Sequence, residues 1–243
     1  PTMSITSTQG ESGFYSADSS IDLIFTSSES TTTFTVGDIR TDGLGTISSF
    51  QEVSPTTYTA IFTPNDLTVE AKYIHVNAGW YEDAASNQNE ASNTFVWNYD
   101  ITAPTMTVES ELFTSGSSSS SRITYESPIF LHFTTDETIF DFESSDINVT
   151  GGTLEELTGS GQDWVAEISC DDDGLKSIRV EAASFRDEAG NTNENEITYE
   201  WTYDNTHPTM TISTDQFSSN DYTNADTVTL MFTSSESTND FDA

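Results

Sequence analysis

The chain has 243 residues, with 41 acidic side chains against 6 basic ones and a formal net charge of −35. Such a charge repels nucleic acid and anionic lipid headgroups, so neither is expected as a partner. A single cysteine, Cys170, excludes an intrachain disulfide framework and a cysteine-rich zinc site, and no run of 18 apolar residues offers a membrane span.

In chain order, Pro1-Thr2-Met3-Ser4-Ile5 reads as the interior of a longer protein rather than its start. Period-two alternation then predicts strands with one apolar face. Ile21, Leu23 and Phe25 form the first such set, followed by Tyr58, Ala60 and Phe62, then Ile74, Val76 and Ala78, then Phe95, Trp97 and Tyr99. The series restarts at Pro104-Thr105-Met106-Thr107-Val108. It continues through Ile129, Leu131 and Phe133, then Trp164, Ala166 and Ile168, then Ile178, Val180 and Ala182, and ends with Tyr199, Trp201 and Tyr203. A third start, Pro208-Thr209-Met210-Thr211-Ile212, is followed by Val228, Leu230 and Phe232. The starts lie 103 and 104 residues apart, a period the size of a domain. Low hydrophobicity with high charge is also the composition of disordered chains. Here 15 Phe, 9 Tyr and 4 Trp sit in repeating order, enough to fill several small cores. The expected fold is all-β, with tandem immunoglobulin-like β-sandwich repeats at 1–103 and 104–207 and the N-terminal part of a third, truncated repeat at 208–243. A third of a domain cannot close a sandwich, so either the sequence is cut there or its missing strands come from elsewhere. Without a Cys…Trp…Cys signature the domains are not of the antibody type.

The second repeat carries Phe142…Asp146-Ile147…Gly151-Gly152-Thr153-Leu154, then Val180-x-Ala182, Asp187-Glu188-Ala189-Gly190-Asn191-Thr192-Asn193 and Trp201-x-Tyr203-Asp204-x-Thr206-x-Pro208-Thr209. The first follows with Phe34…Asp38-Ile39, Asp83-Ala84-Ala85-Ser86-Asn87 and Tyr99-Asp100-Ile101-Thr102-Ala103-Pro104-Thr105. In these motifs the chain resembles the bacterial Ig-like repeats of large surface adhesins and fibre proteins. It departs from them at Ser86, opposite Gly190, where a differently shaped turn is expected. The resemblance implies a spacer or adhesive role at a cell surface, outside the cell.

The best candidate for a site is a cation site at each junction between repeats. In a sandwich of this topology the chain enters beside the loops that follow the second and sixth strands. Asp100 is therefore expected near Asp136 and Glu137 on one side and Asp187 and Asn191 on the other. Such an oxygen-only set suits Ca²⁺, which takes six to eight oxygen ligands. Asp204 and Glu236 repeat the set at the next junction, and Glu29, Asp83 and Asn87 form its counterpart in the first repeat. The competing reading is that these Asp and Asn side chains only bond their own turns. Asp171-Asp172-Asp173-Gly174 is a second, weaker cation candidate; it lacks EF-hand spacing and reads rather as a solvated turn. Asn148-Val149-Thr150 is the single glycosylation sequon, and Ser117–Ser121 forms a low-complexity loop. Ile24, Phe130 and Met231 are apolar at equivalent outward positions. They mark either a contact stripe against other copies in a fibre or residues covered by the edge of the core.

His75, His132 and His207 have no partner spacing, and no phosphate loop or nucleophile elbow appears, so no enzyme is expected. The leading expectation is a structural segment of an extracellular surface filament or stalk, stacked through neighbouring repeats. The rival is an adhesin segment that binds glycans or a partner protein directly.

Overall fold

The computed structural model describes residues 1–65, 70–216, 218, 220, 222–238 and 240–241. The first repeat contains β1 (Met3–Ser7), β2 (Phe14–Ser16), β3 (Ile21–Ser27), β4 (Ile39–Arg40), β5 (Gly45–Ser54), β6 (Thr57–Pro64), β7 (Glu70–Val76) and β8 (Phe95–Tyr99). They form two sheets ordered β1-β3-β6-β5 and β2-β8-β7-β4. Every neighbouring pair is antiparallel except β2, which runs parallel to β8. The alternation read from the sequence is the reason for the two layers. Ile21, Leu23 and Phe25 turn inward with Tyr58, Ala60 and Phe62, and meet Ile74, Val76, Phe95, Trp97 and Tyr99. Each large side chain fully buried in this way stabilises the fold by about 1.5–3 kcal/mol. Trp97 sits at the centre, edge-on to Phe62 at 6.0 Å and stacked on Phe14 at 6.4 Å.

The second repeat contains β9 (Met106–Glu109), β10 (Ile123–Thr124), β11 (Ile129–Ile139), β12 (Ile147–Thr150), β13 (Gly152–Cys170), β14 (Gly174–Val180) and β15 (Ile197–Tyr203). Its sheets are ordered β13-β11-β9 and β10-β15-β14-β12. The long β13 doubles back on itself and covers the ground of β5 and β6. A Cβ at Gly152 would lie 2.4 Å from the Ser169 carbonyl oxygen, and one at Gly159 would lie 2.3 Å from that of Asp163. Gly159 and Gly161, with φ of 137° and 68°, turn the chain between the two arms. Gly152→Ala is therefore expected to cost the repeat about 1–3 kcal/mol by overpacking. Urea unfolding of the whole chain would show the loss, and an unchanged midpoint would contradict the hairpin.

The third start forms β16 (Met210–Ser213) and β17 (Met231–Ser234). They pair Met210 with Ser234 and Ile212 with Phe232, as β1 pairs with β3 through Met3–Ser27 and Ile5–Phe25. Val228 and Leu230 lie before β17, and with Phe232 they are exposed.

Two expectations change. Ala78 and Ala182 are exposed, because β7 and β14 end at Val76 and Val180. The inward face of those strands starts instead with a lysine, Lys72 at 0% and Lys176 at 4% exposure. Burying a lysine stem is favourable when its ammonium finds partners. Lys72 lies 5.8 Å from the Tyr99 ring centre, and Lys176 donates to the Asp172 carbonyl. The Phe…Asp-Ile motifs also gain a cause. Asp38 accepts from the backbone of Thr35 and Asp146 from that of Glu143, both at 2.7 Å, closing 3₁₀ turns that lead into β4 and β12. The serine run holds a third such turn, Ser119–Ser121. Among the described residues no helix is long and apolar enough to cross a membrane.

Candidate functional site

Asp100 follows β8 directly, where the first repeat passes into the second. Its backbone N–H bonds the Ser16 carbonyl at 3.2 Å, and its Oδ1 accepts from Thr102 N at 2.9 Å. Glu137 lies near the end of β11, at a register shift between Thr134 and Ile139. Thr135, buried in the shift, donates to the Glu137 carbonyl at 2.7 Å and so turns the Glu137 side chain out of the ladder. Asp187 ends the segment that bridges Phe140 through Arg186. It is 3% exposed and accepts from the Asn191 backbone and side-chain nitrogens, both at 2.8 Å.

These three segments bring carboxylate oxygens of Asp100, Glu137 and Asp187 within 4.8 Å of one another. Among the described residues none of the three pairs with a basic side chain. Arg186, next in sequence to Asp187, turns to Asp141 at 3.0 Å. Burial, then repulsion from Asp187, Asp100 and Asp136, pushes the Glu137 carboxyl up to about 7. The cluster thus holds one more negative charge than its surroundings stabilise. A proton on Glu137 relieves it, and so would a cation.

The other two residues expected here take bracing roles. Asp136 uses both oxygens on Thr105, accepting from its N–H and its hydroxyl at 2.8 Å each. Asn191 donates its side-chain amide to Asp187 and to the Asp100 carbonyl at 3.0 Å, tying the linker to the turn. In the first repeat Asp83 and Asn87 make the same turn, and Glu29 is exposed. Hydrogen bonds from Asn87 hold the Asp83 carboxyl below the usual range. Ser86 has φ of 63° and Gly190 of 91°, with the matching bond to Asp83 or Asp187 in each. The two turns are therefore alike, because serine accepts the left-handed conformation there at a cost of about 1–2 kcal/mol. At the next junction Asp204 accepts from Thr206 N at 3.2 Å, and one oxygen of Glu236 is buried without a hydrogen-bond partner.

The turn Asp171-Asp172-Asp173-Gly174, expected to be merely solvated, also holds a linker. Asp173 accepts from Asn205 N at 2.8 Å and from the Thr206 hydroxyl, pinning the linker that leaves the second repeat. The Thr206 bond, then that from Asn205, lowers its carboxyl below the usual range. Only its place in the loop before β14 gives it that role, and spacing along the chain carries no such signal.

The remaining candidates stay apart from this cluster. Asn148 is exposed on β12, an edge strand. Phe130 is 49% and Met231 61% exposed, whereas Ile24 is half-buried. His75 and His132 are half-buried, at 4.0 Å from Asp42 and 3.8 Å from Glu111.

Residues 1–99 and 100–201 each match the family model described as bacterial Ig-like domain. Among solved structures, InvD of Yersinia pseudotuberculosis is 14% identical with a TM-score of 0.44, over 88% of this chain and 63% of that one. The Escherichia coli adhesin FdeC is 12% identical with a TM-score of 0.38, over 88% of this chain and 67% of that one. The C-terminal domain of the Streptococcus agalactiae polypeptide BspA is 10% identical with a TM-score of 0.30, over 83% and 99%. The chain thus spans less than two thirds of the InvD chain. A search of the curated proteins gives no match.

Proposed function

We propose, from the premise that the chain belongs to the bacterial Ig-like domain family, that it is a non-catalytic spacer of an extracellular surface protein, with Ca²⁺ clamping the junction between repeats. The observation that carries this reading is the convergence of Asp100, Glu137 and Asp187 from three separate segments, one of them the linker itself. The donor set fits the ion. Calcium holds oxygens at about 2.3–2.6 Å, so ligand oxygens around one ion lie up to about 5 Å apart. The three carboxylates already meet that limit, with oxygens within 4.8 Å. Water would complete the six to eight positions. Asp136 and Asn191 brace the set by fixing Thr105 and the Asp100 carbonyl.

A clamped ion would join the linker to two loops of the second repeat and restrict bending there. Glu29 with Asp83, and Asp204 with Glu236, would serve as the corresponding positions at the neighbouring junctions. Direct adhesion to a glycan or a partner protein is the rival role.

Thermal melting and small-angle scattering, with calcium and with excess EDTA, test the proposal. Calcium at about 100 times its dissociation constant should add about 2.7 kcal/mol of stability. It should also narrow the distribution of long interatomic distances in the scattering. An unchanged melting temperature and profile would overturn it.

A further inference from the structure

The two repeats differ along one edge. In β1 the register with β3 and the bond from Ser28 N to the Thr2 carbonyl turn the N–H and C=O of Ile5 away from the sheet. Asn93 covers them as a paired strand would, accepting from Ile5 N at 2.7 Å and donating to Ile5 O at 3.0 Å. Glu90 N closes the same edge on the Pro1 carbonyl at 2.9 Å.

In the second repeat both stitches are gone. The bond from Asp136 N to the Thr105 carbonyl sets the same phase, so Met106 and Val108 turn their N–H and C=O groups outward from β9. Ile197 stands where Asn93 stood and belongs to β15, paired with Val180 of β14. That pairing draws the segment across to the other sheet. Among the described residues nothing bonds the outward groups of Val108. A groove of 490 Å³ runs along Met106–Gly116, adjoined by one of 210 Å³ between Ala103–Met106 and Asn193–Ile197; the first repeat has a counterpart of 570 Å³ along Ser4–Ser12, but there Asn93 occupies the strand edge that β9 leaves open.

We infer that this groove receives an extended peptide segment of a partner protein, which adds to β9 as a strand and carries lysine or arginine. An unpaired edge supplies alternating donors and acceptors to such a segment. The charge follows from the walls and the whole molecule. Glu109, Glu194 and Glu196 line the two cavities with Arg122; Arg179 pairs with Glu196, which leaves Glu109 and Glu194 facing the single lining cation Arg122. A second copy of the chain would bring a further −35 and is disfavoured.

The test uses the full chain and a seven-residue peptide alternating valine and lysine, titrated at physiological salt. The expected results are saturable one-to-one binding and slower exchange of the Val108 amide proton. Methylation of alternate peptide nitrogens, which keeps charge and length, should weaken binding at least about tenfold. Val108→Pro should do the same, because it removes the outward N–H while leaving the β9–β11 ladder intact. Undiminished binding by the methylated peptide would reduce the contact to charge alone and overturn the inference. So would concentration-dependent dimerisation of the chain that Val108→Pro abolishes, because the occupant would then be a second copy.

Discussion

Asn193→Ala is expected to cost the second repeat about 3–5 kcal/mol, a large part of what a domain of this size has. Asn193 is 3% exposed and makes four hydrogen bonds through one amide. Its oxygen accepts from Ser184 N at 2.9 Å and Phe185 N at 3.1 Å, and its nitrogen donates to Glu181 O at 2.9 Å and Asn195 O at 3.1 Å. Alanine would leave these backbone groups without their partner, at about 1–3 kcal/mol for each one that water cannot reach. Asn89 makes the corresponding four bonds in the first repeat, to Trp80 N, Tyr81 N, Asn77 O and Glu90 O. Asn193→Asp keeps both acceptor contacts but sets a carboxylate oxygen against the Glu181 and Asn195 carbonyls in a buried site, so it should cost at least as much as alanine. Chemical unfolding of the full chain measures both, and a loss below about 1 kcal/mol for alanine would show that the loop tolerates the orphaned groups. The asparagine also closes the base of the loop that presents Asp187, through Asn193 N to the Phe185 carbonyl at 3.1 Å.

The second large effect is a pH dependence of the calcium-free protein. Glu137 has its pKa raised from 4.5 to about 7, so between those values the folded chain binds a proton that the unfolded chain has released. Stability therefore falls as pH rises across that window and levels off above about 7. The contribution is fully present below the unfolded value. Glu137→Gln removes this part of the slope, and the variant should be more stable than the parent at pH 8 in EDTA. Subtracting the variant's profile isolates Glu137 from the other carboxylates of so acidic a chain. In the proposed clamp calcium would compete with the proton, so its stabilisation should grow from pH 5 to pH 8. Parallel profiles for parent and variant in EDTA would contradict the assigned cause.

Much of the fold was legible because a strand's period is two. Ile21, Leu23, Phe25 and their repeats lie where alternation placed them, and the third start pairs in the register of the first. Alternation misled at the strand ends, where Ala78 and Ala182 continue the pattern after the ladder has stopped. It also passed over Lys72 and Lys176, whose charge hides an apolar stem on the inner face. The meeting of Asp100, Glu137 and Asp187 was legible from topology, since sandwich connections bring those loops to one end. The division of labour was not. Asp136 neighbours Glu137 in sequence, but the register shift in β11 sends one carboxylate to Thr105 and the other to the cluster. The open edge of β9 was equally hidden, because it depends on Ile197 joining β14 while Asn93 stays free to reach β1.

A calcium clamp at the junction would be seen in calorimetric titration of Ca²⁺ into the intact chain. Saturable binding is expected, with a dissociation constant of about 10⁻⁴–10⁻³ M, the range of extracellular modules. Glu137→Gln and Asp100→Asn should each weaken that binding at least about tenfold while the melting temperature in EDTA stays at or above the parent's. Absence of binding heat with no change in melting, or binding that both variants retain in full, would contradict it.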